Sequence, residues 1–454
     1  MENISRAIQN AKNNRIFNAL VYETFELAEI QANDAIRKGL TPFPIVVKDC
    51  FAVKDIPLTC ASNMLKNFIS PYTSTVVDRL VKNGGCIIGK ANMDEFAMGA
   101  SSNDSIFGPV KNGFTKEENL NNNWYIAGGS SGGSAVGVQL GMADVGIGSD
   151  TGGSTRNPAA FCGLVGFKPS YGVLSRYGLV PLVNSLDCPS LFTKDVKSIQ
   201  KYYNMVRGIC KHDSTTYDSK EKPIKKNRKL VVGIPKEYFI ETLTEEAKEA
   251  VNIVANIFDK KGYEIKEVSL PNIEYSIVCY HIINEVDVAS NMARYTGIFY
   301  GPSDKNTDSV DEMMTDCRSK NLNETVKRRI FAGNYFTMKK QNRRHYIEAL
   351  KVRRLIYNDF KNVFSNSCDI LLTPVTSSTV PTYNTYFINK TKHERKDDFF
   401  TQPANMAGIP AISIPVLRDK LNDLPLSVQL MMNFGNDDEL LSVSRELEKE
   451  TLYF

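Results

Sequence analysis

Histidine is scarce and tryptophan nearly missing: the 454 residues hold four His and one Trp. Imidazole is the usual general base for a nucleophilic hydroxyl or thiol. With only His212, His281, His345 and His393 present, each in an ordinary surface or packing context, chemistry of that kind must look to another base. No apolar run approaches the roughly 18 residues that a membrane-spanning helix needs. The nine cysteines are an odd number without a CxxC pair, which speaks against a disulfide framework or a zinc site and for a reducing compartment. A dominant charge is lacking too. Fifty-five Lys and Arg against 51 Asp and Glu leave a net +4, too little for the chain as a whole to hold nucleic acid by its own field. A dense basic cluster, Lys222 to Lys229, reads as a solvated loop.

What the chain does have is a concentration of glycine and serine between Ala127 and Pro169. One turn reads Gly128-Gly129-Ser130-Ser131-Gly132-Gly133-Ser134, the other Gly148-Ser149-Asp150-Thr151-Gly152-Gly153-Ser154, so Ser130 and Ser154 stand 24 residues apart. Glycines on both sides of a serine permit positive φ and leave no Cβ in a ligand's way. Between the turns, Ser134 to Ala143 reads as a tightly packed helix of small residues and Asp144 to Ser149 as a buried strand. Turn, helix, strand and turn bring the second serine back towards the first. A flexible linker of this composition normally sits between polar segments, whereas Ala135, Val136, Val138, Leu140 and Met142 follow here. The other glycine run, Gly84 to Lys90, fits seven positions of a P-loop. Ala91 then stands where Ser or Thr must hold magnesium, and a helix precedes the glycines in place of a strand.

Ser-Lys arrangements are an established variant of triad logic. Lys48 follows the β-branched run Ile45-Val46-Val47, the pattern of a buried strand. Lysine is seldom buried unpaired, so a strand-end lysine reaching solvent is the ordinary alternative. An unperturbed lysine is neutral in only about one molecule in a thousand near pH 7.5, and burial favours the neutral form.

Lys48 in Val46-Val47-Lys48-Asp49, Ser130 in the first turn and Ser154 in the second, followed by Thr155-Arg156-Asn157-Pro158, together resemble the amidase signature family of Ser-Ser-Lys amide hydrolases. The likeness runs from about Phe43 to about Glu448. Ala91-Asn92-Met93-Asp94-Glu95-Phe96-Ala97-Met98-Gly99 and Tyr171-Gly172-Val173-Leu174-Ser175-Arg176-Tyr177-Gly178-Leu179 are similar to one branch, the A subunits of glutamyl-tRNA(Gln) amidotransferases.

The resemblance implies Ser154 as nucleophile, Ser130 as proton relay with a cis peptide bond before it, and Lys48 as base. It places the N–H groups of Thr151, Gly152, Gly153 and Ser154 around the oxyanion, with Asp150 and Arg156 holding the turn. Glutamine would be gripped by Tyr280, Arg329 and Asp398, with Arg328 open as an alternative to Arg329. No metal or cofactor is implied for this chain; ATP and magnesium would be used by a B subunit, which would also make most of the tRNA contact, and a small third subunit would complete the complex. A free-standing amidase and a catalytically silent scaffold are the competing readings. Cys50, Thr155 and Cys188-Pro189-Ser190-Leu191 depart from the branch's pattern, and the segment before Lys48 is short for it. That shortness and the acid-poor first 22 residues, with Arg6, Lys12 and Arg15 against Glu2, point to a mitochondrial, fungal-like version in the matrix. The cytoplasm is the alternative if the chain is bacterial, and an amphipathic surface helix explains the same N-terminal residues.

Strand and helix signals alternate along the chain. Helices are expected over Tyr22 to Lys38, from a Ser74 cap to Gly84, from a Thr244 cap to Gly262, and as two long segments over Glu324 to Phe364. Strands are expected at Cys86 to Ile88, Leu230 to Ile234, Tyr263 to Leu270, Ile370 to Leu372, Ala411 to Ile414 and Leu426 to Leu430. Such alternation argues for an α/β fold, here one domain over 1–454 with a central mixed sheet covered by helices on both faces. It would include an N-terminal helical segment over 1–40 and the Gly/Ser-rich core over 127–169. Lys111 to Asn123, Ser214 to Arg228 and Tyr383 to Lys396 read as surface insertions.

Overall fold

The computed structural model describes residues 1–218, 229–303, 307–388 and 390–451, with side chains left out over 390–395. All of the Lys222 to Lys229 cluster but Lys229, most of the Ser214 to Arg228 insertion and the His393 side chain therefore lie outside the described residues. The strands are β1 (Leu20–Glu23), β2 (Phe43–Lys48), β3 (Gly85–Ala91), β4 (Val145–Asp150), β5 (Val165–Lys168), β6 (Cys188–Thr193), β7 (Val231–Pro235), β8 (Glu264–Val268), β9 (Ile370–Pro374), β10 (Ala411–Arg418) and β11 (Pro425–Met432). They form one eleven-stranded sheet in the order β1-β3-β2-β4-β6-β5-β10-β11-β9-β7-β8. β2 runs parallel to β3 and β4, and β7 parallel to β8 and β9; the other neighbours are antiparallel. The fold is thus α/β with a mixed sheet.

Helices cover both faces, and β2 shows why. Its side chains alternate, as strand geometry requires. Phe43, Ile45 and Val47 join a core that includes Val76, Val77 and Leu80 of helix Thr75–Lys82. Val46 joins a second core with Ile4 and Ile8 of helix Glu2–Asn13 and Val136 of helix Gly132–Gln139. Lys48 has the parity of Val46, so it faces the side on which the first serine turn lies. The small residues between the turns let helix and sheet approach closely: a Cβ on Gly146 would come 2.8 Å from the Ser134 carbonyl oxygen, and one on Gly137 would come 3.2 Å from Val46.

Several expected boundaries shift. The helix of small residues occupies Gly132–Gln139, starting two residues and ending four residues earlier than read, and Gly141 at φ +69° turns the chain out just beyond its end. Tyr22 and Glu23 are drawn into the edge strand β1 by pairing with β3, and the helix begins at Phe25. Ser74 does precede the helix but makes no capping bond, whereas the Ala247 N–H donates to Thr244 Oγ1 at 3.4 Å. Glu324 to Phe364 divides at Met338 and His345 into Glu324–Thr337, Lys339–Asn342 and Tyr346–Asn366. Within the expected Tyr383 to Lys396 insertion, Tyr383–Ile388 is helical and a second helix, Lys390–Ala407, begins, and Tyr386 is buried against Phe161 and Ile126. The P-loop likeness dissolves in β3, where Lys90 is buried and paired with Asp49 at 2.7 Å.

Candidate active site

Parallel pairing of β2 with β4 aligns their carboxyl ends, and the lysine and the second serine turn are carried there. The Lys48 ammonium nitrogen lies 2.7 Å from Ser130 Oγ and 2.9 Å from Ser149 Oγ. Lys48 is wholly buried, and that burial lowers its pKa against the pull of neighbouring Cys50, Asp94, Asp150 and Asp187. It is a lysine poised towards the neutral, proton-accepting form.

Ser130 is buried and follows a cis peptide bond from Gly129. Gly129 has no room for a side chain, since its Cβ would stand 2.3 Å from Asp94 Oδ2. The Asp94 carboxylate itself accepts from the Ser102 and Asp104 N–H groups at 2.9 and 3.1 Å. The Ala91 to Gly99 motif thus packs beneath the first serine turn. The two turns are joined where the Ser131 N–H donates to the Ser154 carbonyl at 3.2 Å. Ser154 is only partly buried, and this leaves it open to a substrate while Lys48 and Ser130 are shielded.

The second turn is held from within by Asp150. Burial opposes its charge, but the Arg156 guanidinium and Asn405 amide keep the carboxyl well below the usual range. Arg156 donates to Asp150 through Nε at 3.0 Å and Nη2 at 2.8 Å, and through Nη1 to the Thr401 carbonyl and Gln429 Oε1 at 2.8 and 2.6 Å. Gly153 corrects the oxyanion reading. Its N–H donates to Asp150 Oδ1 at 2.9 Å, so this amide shapes the turn. Among the described residues, no acceptor takes the Gly152 or Ser154 N–H. Thr401 Oγ1 donates to the Gly152 carbonyl at 2.6 Å, and Thr151 Oγ1 donates to Asp187, whose carboxyl is pushed up to about 6 by burial.

The three substrate-site candidates converge. Tyr280, buried on helix Ser276–Met292, lies against Gly152. Burial raises its pKa, the Asp398 charge adds to that rise and the Arg329 charge opposes it. Asn284, one turn along the same helix, donates to the Tyr280 hydroxyl at 3.1 Å and accepts from Arg329 Nη1 at 3.2 Å. Arg328 is exposed, so Arg329 is the arginine that faces the site. Ser149, Asn284, Thr401 and Asp187 were not singled out by sequence. Asn284, four residues beyond Tyr280, Ser149, beside Asp150, and Thr401, three residues beyond Asp398, carried a positional signal. The described histidines pack on rings: His212 on Tyr177, His281 against Tyr280 and His345 against Phe336.

The family model described as Amidase matches residues 2–441. The chain is 43% identical to the A subunit of the mitochondrial glutamyl-tRNA(Gln) amidotransferase of Bos taurus, covering 99% of this chain and 90% of that one. It is 42% identical to the Homo sapiens counterpart, covering 97% and 89%. Among solved structures it is similar to the A subunit of the Thermotoga maritima glutamyl-tRNA(Gln) amidotransferase, with TM-score 0.75, 29% identity, and 99% and 95% of the two chains covered. A 6-aminohexanoate cyclic dimer hydrolase shares the fold, with TM-score 0.84 at 21% identity over 99% and 93%.

Proposed function

The chain belongs to the amidase family, and from that premise we propose that it is the glutamine-hydrolysing subunit of a mitochondrial glutamyl-tRNA(Gln) amidotransferase. The observation that carries the chemistry is the buried Lys48 at 2.7 Å from Ser130, beside a turn that presents a half-open Ser154. Similarity to the A subunits over nearly the whole chain supports the substrate and the setting.

Neutral Lys48 takes the Ser130 proton as Ser130 takes that of Ser154. The Ser154 oxygen attacks the side-chain amide carbon of glutamine, and the charge that develops on the carbonyl oxygen meets the Thr151, Gly152 and Ser154 N–H groups. Collapse breaks the C–N bond, and the proton returns from Lys48 through Ser130 to the leaving nitrogen. Ammonia departs and a glutamyl ester remains on Ser154. Water, deprotonated by the same relay, cleaves that ester to glutamate. Arg329 and Asp398 supply opposite charges for the α-carboxylate and α-ammonium of the substrate, and Tyr280 closes the side next to the turn.

In this reading the ammonia is used by a B subunit with ATP and magnesium, that same partner makes most of the tRNA contact, and a small third subunit completes the complex. The names of the relatives support a mitochondrial setting, and within it the reading places the chain in the matrix. The test is ammonia release from glutamine by the chain purified with its partners, beside its Ser154→Ala variant. Release that disappears in the variant supports the reading. Hydrolysis of other amides by the lone chain, with none of glutamine in the complex, would establish a free-standing amidase.

A further inference from the structure

The small net charge of the chain conceals a strongly basic stretch. Between Lys327 and Arg354 stand ten Lys and Arg against the single acid Glu348, so with the whole chain at +4 the remainder is net acidic. These residues lie on helix Glu324–Thr337, helix Lys339–Asn342 and the start of helix Tyr346–Asn366. Lys339, Lys340, Arg343, Arg344 and Arg354 are exposed. None of these five has a carboxylate within ion-pair distance among the described residues. Large apolar side chains are exposed among them: Tyr335 and Met338 before the turn, then Ile347 and Leu350 at helical spacing on the way to Arg354.

The stripe leads into a cleft of about 510 Å³, within the range of small-molecule pockets, roughly 300–1,000 Å³. Tyr171, Tyr357 and Phe434 are among its walls. The Arg354 guanidinium lies 4.9 Å from the centre of the Tyr357 ring. Arg353, half-buried in the same wall, donates to the Met406 carbonyl, Ser185 Oγ and the Ser185 carbonyl at 3.1, 2.8 and 3.0 Å. Three of its five N–H groups are thus committed.

Unpaired cations interleaved with exposed rings and alkyl groups, leading to an aromatic-walled cleft, match what single-stranded nucleic acid requires. Phosphates track the cations, and bases stack on aromatic and guanidinium planes. A protein partner would more often present a surface depleted in lysine at its core. We propose that this face binds single-stranded RNA directly, with phosphates along Arg343, Arg344 and Arg354 and a base in the Tyr357 cleft. Lys48, Ser130 and Ser154 are not among the residues that line the cleft, so the proposal does not depend on the identity of the amide substrate.

The test is fluorescence anisotropy of a labelled single-stranded oligoribonucleotide against the chain purified with its partners, at about 50 and 200 mM salt. Three proteins are compared: the parent, the double variant Arg343→Glu/Arg344→Glu, and Tyr357→Ala. Glutamine hydrolysis is measured on each as a check of folding and as an independent test of the enzymatic reading. The expected result is a loss of RNA affinity of about tenfold or more in the charge-reversed variant with a shallower salt dependence, and of roughly tenfold in Tyr357→Ala, at unchanged hydrolysis. RNA affinity equal to the parent's in the charge-reversed variant overturns the proposal. So does loss of co-purifying protein at intact RNA affinity, which would make the stripe a protein-docking face. Unchanged affinity in Tyr357→Ala alone overturns the placing of a base in the cleft.

Discussion

Tyr280 rests on Gly152: a Cβ on that glycine would stand 2.8 Å from both the Cζ and the oxygen of the phenol. The residue proposed to line the substrate site and the turn proposed to carry the nucleophile are therefore in contact, and the turn must be bare where the ring lies. Gly152→Ala forces one of the two to move. The expected outcome is a fall of about 10²-fold in kcat/KM for glutamine, since ångström-scale misplacement costs about that much. Steady-state kinetics check it; an unchanged kcat/KM would show that the ring yields without consequence.

As the proposed base, Lys48 should set the acid limb of the pH profile. Its pKa lies below the ordinary value because burial disfavours the charged form, and in the proposed mechanism the neutral amine is the acting species. Activity should rise with pH through that lowered pKa and level off before a free lysine would. Stability should change in the same direction: the unfolded chain binds this proton more tightly, so this group favours folding increasingly as pH rises between the folded and unfolded pKa values. Lys48→Ala should cost about 10³-fold or more in kcat. An acid limb that persists unchanged in the residual activity would assign the limb to another group.

Arg156 and Asp150 are both wholly buried, at 2.8 Å. Removing one partner of such a pair leaves an uncompensated buried charge, worth about 3–5 kcal/mol. Arg156→Met should lose stability in that range by urea unfolding and should also lose hydrolysis, because the nucleophile turn hangs on Asp150. A loss below about 1 kcal/mol would mean that the pair is solvated.

The adjacent arginines should behave oppositely. Arg329 donates to the buried Asn284, which holds the Tyr280 hydroxyl, whereas Arg328 is exposed. Arg329→Ala should raise KM for glutamine about tenfold or more, as loss of a charge-assisted contact does. Arg328→Ala should leave KM within about twofold, as surface substitutions generally do. Equal effects would remove the distinction between the two.

Much of the fold was legible where local chemistry is strong. β9, β10 and β11 lie where apolar runs stood between turn signals, and Thr244 capped its helix. Edge pairing was not legible: Tyr22 and Glu23 look helical by periodicity but are claimed by β3. The break at Met338 was hidden because Lys339 to Asn342 continue a helical composition.

By itself the sequence determined the two serine turns, the buried strand that ends in Lys48 and the small-residue helix between the turns. Each depends on neighbours in the chain: glycine's freedom of φ, a β-branched run, the absence of bulk. Tertiary structure alone decided that Ser149 is the second partner of Lys48, that the Gly153 amide is committed to Asp150, and that Arg329 faces the site while Arg328 faces outward. These outcomes depend on which face of a helix packs inward and on which backbone groups meet across the sheet. Such contacts join Lys48 to Ser149, or Arg156 to Gln429, far apart along the chain, and no local spacing encodes them.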